Sequence, residues 1–204
     1  MADFDVIPSA VAERLAPGPP AGAAARLALD KARAVAGRLP EGIVLGADTL
    51  VVIDGRALGK PTDADDARAM LRRLRGREHE VITGVAVVDA ATGRGAATAV
   101  LSRVRMRDYG GAEIEAYVAT GEPLDKAGAY AIQERGGALV AGVRGSRTNV
   151  VGLPVAETGR LLAAFGVPLS APARRRAPGA GARRGAARPA GERGTRRGGA
   201  GGRG

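Results

Sequence analysis

Ile43-Val-Leu-Gly-Ala-Asp-Thr-Leu-Val-Val-Ile53 is an apolar run with a single carboxylate, Asp48, in its middle. That is the composition of a strand buried in a sheet. A carboxylate is costly to bury without a cation, a donor or a proton, so Asp48 needs partners from elsewhere in the chain. Leu58-Gly-Lys-Pro61 is a tight turn that delivers Lys60, and Thr120-Gly-Glu-Pro-Leu-Asp-Lys-Ala-Gly-Ala-Tyr130 delivers Lys126 beside two acids. Acid and base gathered on loops around a core strand point to a site for a phosphorylated substrate and its metal.

Outward from this strand, strand and helix patterns alternate. Phe4, Val6 and Ile7 suggest a short strand over 4–7. Residues 22–39 read as a helix with Ala28, Ala32, Val35, Ala36 and Leu39 on one face. Thr62 can cap a helix whose first turn holds Asp63, Asp65 and Asp66; it buries Ala67, Met70, Leu71 and Leu74 and ends at Gly76. Val81–Val88 is a strand. Ala91-Thr-Gly93 turns into another, where Val100, Ser102, Val104 and Met106 alternate with Leu101, Arg103 and Arg105. A short helix at 111–119, a strand near 138–143 and a last helix with Pro154 in its first turn and Gly166 after its end complete the order. Units of strand and helix mixed with a hairpin predict an α/β domain with a mixed sheet.

The net charge of +10 is unevenly placed. Residues 171–204 hold ten arginines against one acid, Glu192, whereas 1–170 are within one charge of neutrality. The Ala/Gly/Pro/Arg composition of 171–204 predicts a disordered tail, with a boundary near Ser170 and one domain over 1–170. Only the tail has the charge to bind nucleic acid, and weakly, since no aromatic side chain interrupts its arginines to stack bases. The chain has no cysteine, which excludes a disulfide scaffold and thiolate metal sites and fits a reducing, cytoplasmic setting. It has no apolar run of about 18 residues and no signal-peptide pattern at its start, so no membrane association is expected.

Hydrolysis of a nucleoside triphosphate needs cations for the phosphates, a metal bridging their oxygens and a base for water. Asp48 can be the base or a metal ligand, and Glu13 a second carboxylate. Lys31, Lys60 and Lys126 are the only lysines of residues 1–170 and can hold phosphates as compact point charges. Gln133 follows the apolar Tyr130-Ala-Ile132, and an amide at a strand end can read a base edge. Thr49 can line the same pocket. His79 is the only histidine; at a strand entrance it is more often structural than catalytic. Gly145-Ser-Arg-Thr-Asn-Val-Val-Gly-Leu-Pro154 reads as a loop closing over the site, and its Ser146 lacks the His-Asp partners of a nucleophile. Neither a Walker A pattern nor a dinucleotide fingerprint is present.

Taken together, these residues resemble the Maf family of nucleoside triphosphate pyrophosphatases. The matching segments are Leu45-Gly-Ala-Asp-Thr49, Leu58-Gly-Lys-Pro61, Asp66-Ala-Arg68 with Met70-Leu71, His79-Glu-Val81 with Thr83-Gly-Val85, and Glu113-Ile-Glu-Ala-Tyr117. The most specific are the 120–130 segment with Gln133 and Asn149-Val-Val-Gly-Leu-Pro154, and the resemblance spans about 3–168. It implies cleavage of a nucleotide between the α and β phosphates with a divalent metal, Mg or Mn, in a house-cleaning role. It implies a twisted mixed sheet flanked by helices, two lobes around a cleft, and a homodimer. It places the proton acceptor at Asp48, charged cleft positions at Glu13, Lys31 and Lys60, and substrate-selecting positions at Thr49 and Gln133. Asp48 and Glu13 would hold the metal. The Ala-Asp-Thr form of the strand resembles the branch acting on dTTP and UTP.

The family normally opens with a strand and a turn carrying Ser-Pro-Arg-Arg, and no such tetrapeptide occurs in 1–170. That departure implies a start assigned too late or a truncated relative of reduced competence. A catalytically impaired regulator of cell division and a nucleic-acid-associated protein acting through the tail are the alternatives to an enzyme.

Overall fold

The computed structural model describes residues 4–13 and 18–168, and the tail expected over 171–204 lies outside the described residues. In chain order the elements are α1 (Pro20–Ala36), β1 (Ile43–Ile53), β2 (Arg56–Leu58), α2 (Ala64–Leu74), β3 (Glu78–Asp89), β4 (Gly95–Met106), α3 (Gly111–Val118), β5 (Val140–Arg144), α4 (Arg147–Val151) and α5 (Val155–Ala164). Three short 3-10 segments occupy 122–139 between α3 and β5.

The strands form one sheet in the order β2-β1-β3-β4-β5. The α/β class and the flanking helices are as expected. The mixed sheet is corrected: among the described residues all four pairings are antiparallel. Hairpin turns such as Asp54-Gly55 and the 91–93 turn connect sequential neighbours directly, which leaves no need for a parallel crossover there. β1 pairs with β2 only through Val51, Val52 and Ile53, so among the described residues the rest of that edge has no strand partner.

Period-2 alternation divides β1 and β3 between two layers. Val44, Leu50, Val52, Ile82, Ala86 and Val88 pack with the Ala-rich face of α1. Val51, Ile53 and Val81 point the other way, into a core with Leu71 and Leu74 of α2, Ile114 and Tyr117 of α3, and Tyr109 and Tyr130. The sheet is thus covered on both faces, α1 on one and the later helices on the other.

α1 lies directly on the backbone of the sheet. A Cβ at Gly46 would stand 2.5 Å from the Ala28 carbonyl oxygen, and one at Gly84 would stand 2.1 Å from that of Ala24. Only glycine permits this approach, and it sets the depth of α1 over the middle of β1.

Four local expectations are corrected. Residues 4–7 form no strand: Phe4 and Val6 are exposed, and this segment lies beside Ile43–Ala47 without pairing to it. α1 starts earlier, at Pro20, whose missing N–H costs nothing at a first helical position, and it ends at Ala36 rather than 39. Asp63, not Thr62, caps α2: its carboxylate accepts from the Asp66 N–H at 2.8 Å, while Asp66 accepts from the Thr62 N–H at 2.9 Å. Met70 is half-buried rather than buried.

Candidate active site

A cleft of about 550 Å³ opens along the part of β1 that lacks a strand partner. Asp48, Thr49, Lys60, Lys126, Gln133 and Gly152 are among its lining residues.

Asp48 meets the partner its burial requires. Lys31, projecting from α1, donates to Asp48 Oδ1 at 2.7 Å and to Glu13 Oε1 at 2.7 Å. The side chain of Asp48 is 9% exposed and that of Glu13 is 54% exposed, so one ammonium bridges a buried carboxylate and an open one. The register explains the position: Asp48 is paired with Gly84, whose absent side chain admits α1 and brings Lys31 within reach.

The electrostatics follow from this burial. Desolvation pushes Asp48 above the ordinary aspartate value against the opposing pull of Lys31. Burial would lower Lys31, but its hydrogen bonds to Asp48 and Glu13 outweigh that and hold it firmly protonated. The hydrogen bond from Lys31 lowers Glu13. Lys60 acts on Asp48 and Glu13 at longer range, lowering both.

The other expected residues divide. Lys60 is exposed at the end of its turn with no ion pair among the described residues. Lys126 reaches the cleft but is held by Asp125 at 2.8 and 2.9 Å, so a phosphate there has to displace a carboxylate. Glu122, the other acid of that segment, is structural: it accepts from the Tyr117 hydroxyl at 2.7 Å and from the Arg135 and Gly136 N–H groups. Gln133 does line the cleft, but from a turn rather than a strand end. Tyr130 is extended, but the chain turns at Ile132 and Gln133, so the apolar run Tyr130-Ala131-Ile132 does not continue as a strand.

His79 is buried behind the cleft wall. Its Nε2 lies 2.8 Å from the hydroxyl of Tyr130, a lining residue, and burial lowers it to about 4. Ser146 caps α4, accepting from the Asn149 N–H at 3.1 Å. The loop expected over 145–154 is corrected: residues 147–151 are the helix α4, and its Val150 and Val151, with Gly152 after it, line the cleft. Sequence reasoning missed Tyr130, Asp125 and Glu134 as lining residues, because nothing in their local pattern separates them from core or surface.

No group of three or more His, Cys, Asp and Glu side chains suited to a metal occurs among the described residues. Asp48 and Glu13 are the two carboxylates that converge on Lys31. Each commits one oxygen to Lys31, and among the described residues the second oxygens, Asp48 Oδ2 and Glu13 Oε2, accept no hydrogen bond. No helix among the described residues is long and apolar enough to cross a membrane.

A dTTP/UTP pyrophosphatase of Anaeromyxobacter dehalogenans (strain 2CP-C) is 55% identical over 169 residues, covering 81% of this chain and 85% of the relative. One of Moorella thermoacetica is 57% identical over 149 residues, covering 73% and 77%. One of Myxococcus xanthus is 54% identical over 145 residues, covering 71% and 72%. The family model described as Maf-like protein matches residues 1–165, and the chain belongs to that family.

Proposed function

We propose that this protein is a nucleoside triphosphate pyrophosphatase acting on dTTP and UTP, releasing the monophosphate and pyrophosphate. The observation that carries the reading is the buried Asp48, gripped by Lys31, in a cleft that two further lysines line. The relatives, which are dTTP/UTP pyrophosphatases, support the reaction class.

In this reading Asp48 is the general base. Burial raises its proton affinity and the hydrogen bond from Lys31 orients it, so it is suited to take a proton from water. Lys60 and Lys126 hold the phosphate chain, Lys126 by exchanging Asp125 for phosphate. Thr49 and Gln133 select the base. The free oxygens of Asp48 and Glu13 suit Mg²⁺ or Mn²⁺, which takes one or two carboxylates and fills its remaining positions with water and substrate phosphate. Such an ion, when bound, neutralises charge on the phosphates. The lack of cysteine suits a cytoplasmic setting.

The test is pyrophosphate release from a nucleotide panel by the parent and Asp48→Asn. The amide keeps the shape but takes no proton, so turnover should fall by about 10²–10⁴-fold while the melting curve stays cooperative. Retention of half the parent rate would remove Asp48 as base. Equal rates for ATP, GTP and UTP would defeat the substrate class.

A further inference from the structure

Thr83 is fully buried on β3, opposite Thr49 on β1, and does not line the cleft. Its hydroxyl makes two contacts. It donates to the Asn149 backbone carbonyl at 2.9 Å, and it lies 2.9 Å from Thr49 Oγ1. A carbonyl oxygen only accepts, and a hydroxyl has one proton. The Thr83 proton is therefore committed to Asn149. In the contact between the two threonines Thr49 must be the donor.

The proton of Thr49 is thus turned away from substrate, and its oxygen offers the cleft only lone pairs. Gly152 keeps that oxygen uncovered: a Cβ there would stand 3.5 Å from it, on a residue whose φ of +116° favours glycine. The acceptor of the Thr83 proton is itself fixed. Asn149 is fully buried; its Nδ2 donates to the Val81 carbonyl at 3.0 Å and to Ser102 Oγ at 2.9 Å, and Ser102 donates to the Ser146 carbonyl at 3.0 Å. The Asn149 carbonyl also accepts from the Gly152 N–H at 2.9 Å and has no proton to give, so reversing the Thr83 hydroxyl would set two oxygen lone pairs against each other across 2.9 Å in a buried site, which is costly.

We infer that Thr83 is a positioning residue for base selection: by accepting the Thr49 proton it makes Thr49 an obligate acceptor, matched to a pyrimidine with an imide N–H and mismatched to one with a ring lone pair there. Uracil and thymine have that N3–H; cytosine has the lone pair. The inference rests on the pyrophosphatase reading above and adds a residue outside the cleft to it.

The experiment compares kcat/KM for UTP and CTP in the parent, Thr83→Val, Thr83→Ser and Thr49→Val, with melting curves for each. Thr83→Val frees the Thr49 proton to face substrate, so the UTP-over-CTP preference should shrink by about tenfold or more, with CTP rising relative to UTP. Thr83→Ser keeps the hydroxyl and should keep the parent ratio. A merely structural role for Thr83 lowers both substrates together and leaves the ratio in place, which would overturn the inference. If Thr83→Val does not fold, Thr49→Val decides: UTP should fall while CTP holds or rises, and an equal fall in both refutes an acceptor role. A parent that releases no pyrophosphate from UTP refutes the function itself. A parent active on UTP, with an unchanged ratio in a folded Thr83→Val, refutes only the inference.

Discussion

Gly84→Ala adds one methyl group at the place where α1 meets the sheet. The added carbon would stand 2.1 Å from the Ala24 carbonyl oxygen and 2.2 Å from its carbon. Both are backbone atoms of a 17-residue helix, so no rotamer change relieves the clash. Ordinary contact begins at 3.4 Å, so α1 has to retreat by about 1 Å. Overpacking of this kind costs about 1–3 kcal/mol, which for a domain of this size lowers the melting temperature by roughly 2–12 °C. Lys31 sits two turns further along the same helix. Lengthening its 2.7 Å contact with Asp48 by about 1 Å takes it out of hydrogen-bond range. A misplacement of about 1 Å near the chemistry costs on the order of 10²-fold. Gly22→Ala is the control: it lies on the same helix with nothing within 4 Å, so alanine should stabilise it by roughly 0.5–1 kcal/mol. Pyrophosphate release from dTTP and thermal melting read both variants. A Gly84→Ala protein with parent melting temperature and parent turnover would refute the claim that this contact sets the site.

His79→Phe should flatten the dependence of stability on acid. Burial lowers His79 from 6.5 to about 4, so the unfolded chain binds its proton first as pH falls. The contribution is full above pH 6.5 and lost progressively toward pH 4, about 3 kcal/mol in all. Melting temperatures at pH 7 and 4.5 that drop equally in parent and variant would discard this account. Lys60→Met keeps the stem and removes the charge. It should raise KM for UTP by roughly tenfold to a hundredfold and leave the melting temperature unchanged, since the side chain is exposed. An unaltered KM would show that Lys60 holds no phosphate.

The core strand was legible because eleven successive residues fit a buried strand and no other element of that length. α2, β3 and β4 were legible through alternation and turn residues. The partner of Asp48 was not. Three lysines were available in 1–170, and the choice of Lys31 depends on Gly46 and Gly84, two small residues far apart in sequence that become neighbours of one helix only in three dimensions. Local pattern also misled. Phe4, Val6 and Ile7 have strand composition, but composition supplies no hydrogen-bonding neighbour. Glu122 looked like half of an acidic site, and its charge is instead occupied by a tyrosine and two backbone N–H groups.

Adjacent rungs of one strand pair carry the two tasks. Asp48 is paired with Gly84 and Thr49 with Thr83, and successive side chains point to opposite faces. Asp48 therefore meets α1 and its lysine, whereas Thr49 meets Thr83, which is bonded to the buried Asn149 of α4. A strand closed on both edges would bury these two groups in separate layers. β1 is open beside them among the described residues, and the cleft wraps that edge, with Leu27 of α1 and Val150 of α4 both in its lining. One substrate can thus touch both faces. Perturbations on the α1 side should then lower turnover for every nucleotide, and those on the α4 side should shift the ranking of bases. Gly84→Ala and Thr83→Val, on neighbouring residues of β3, are the pair that separates these effects.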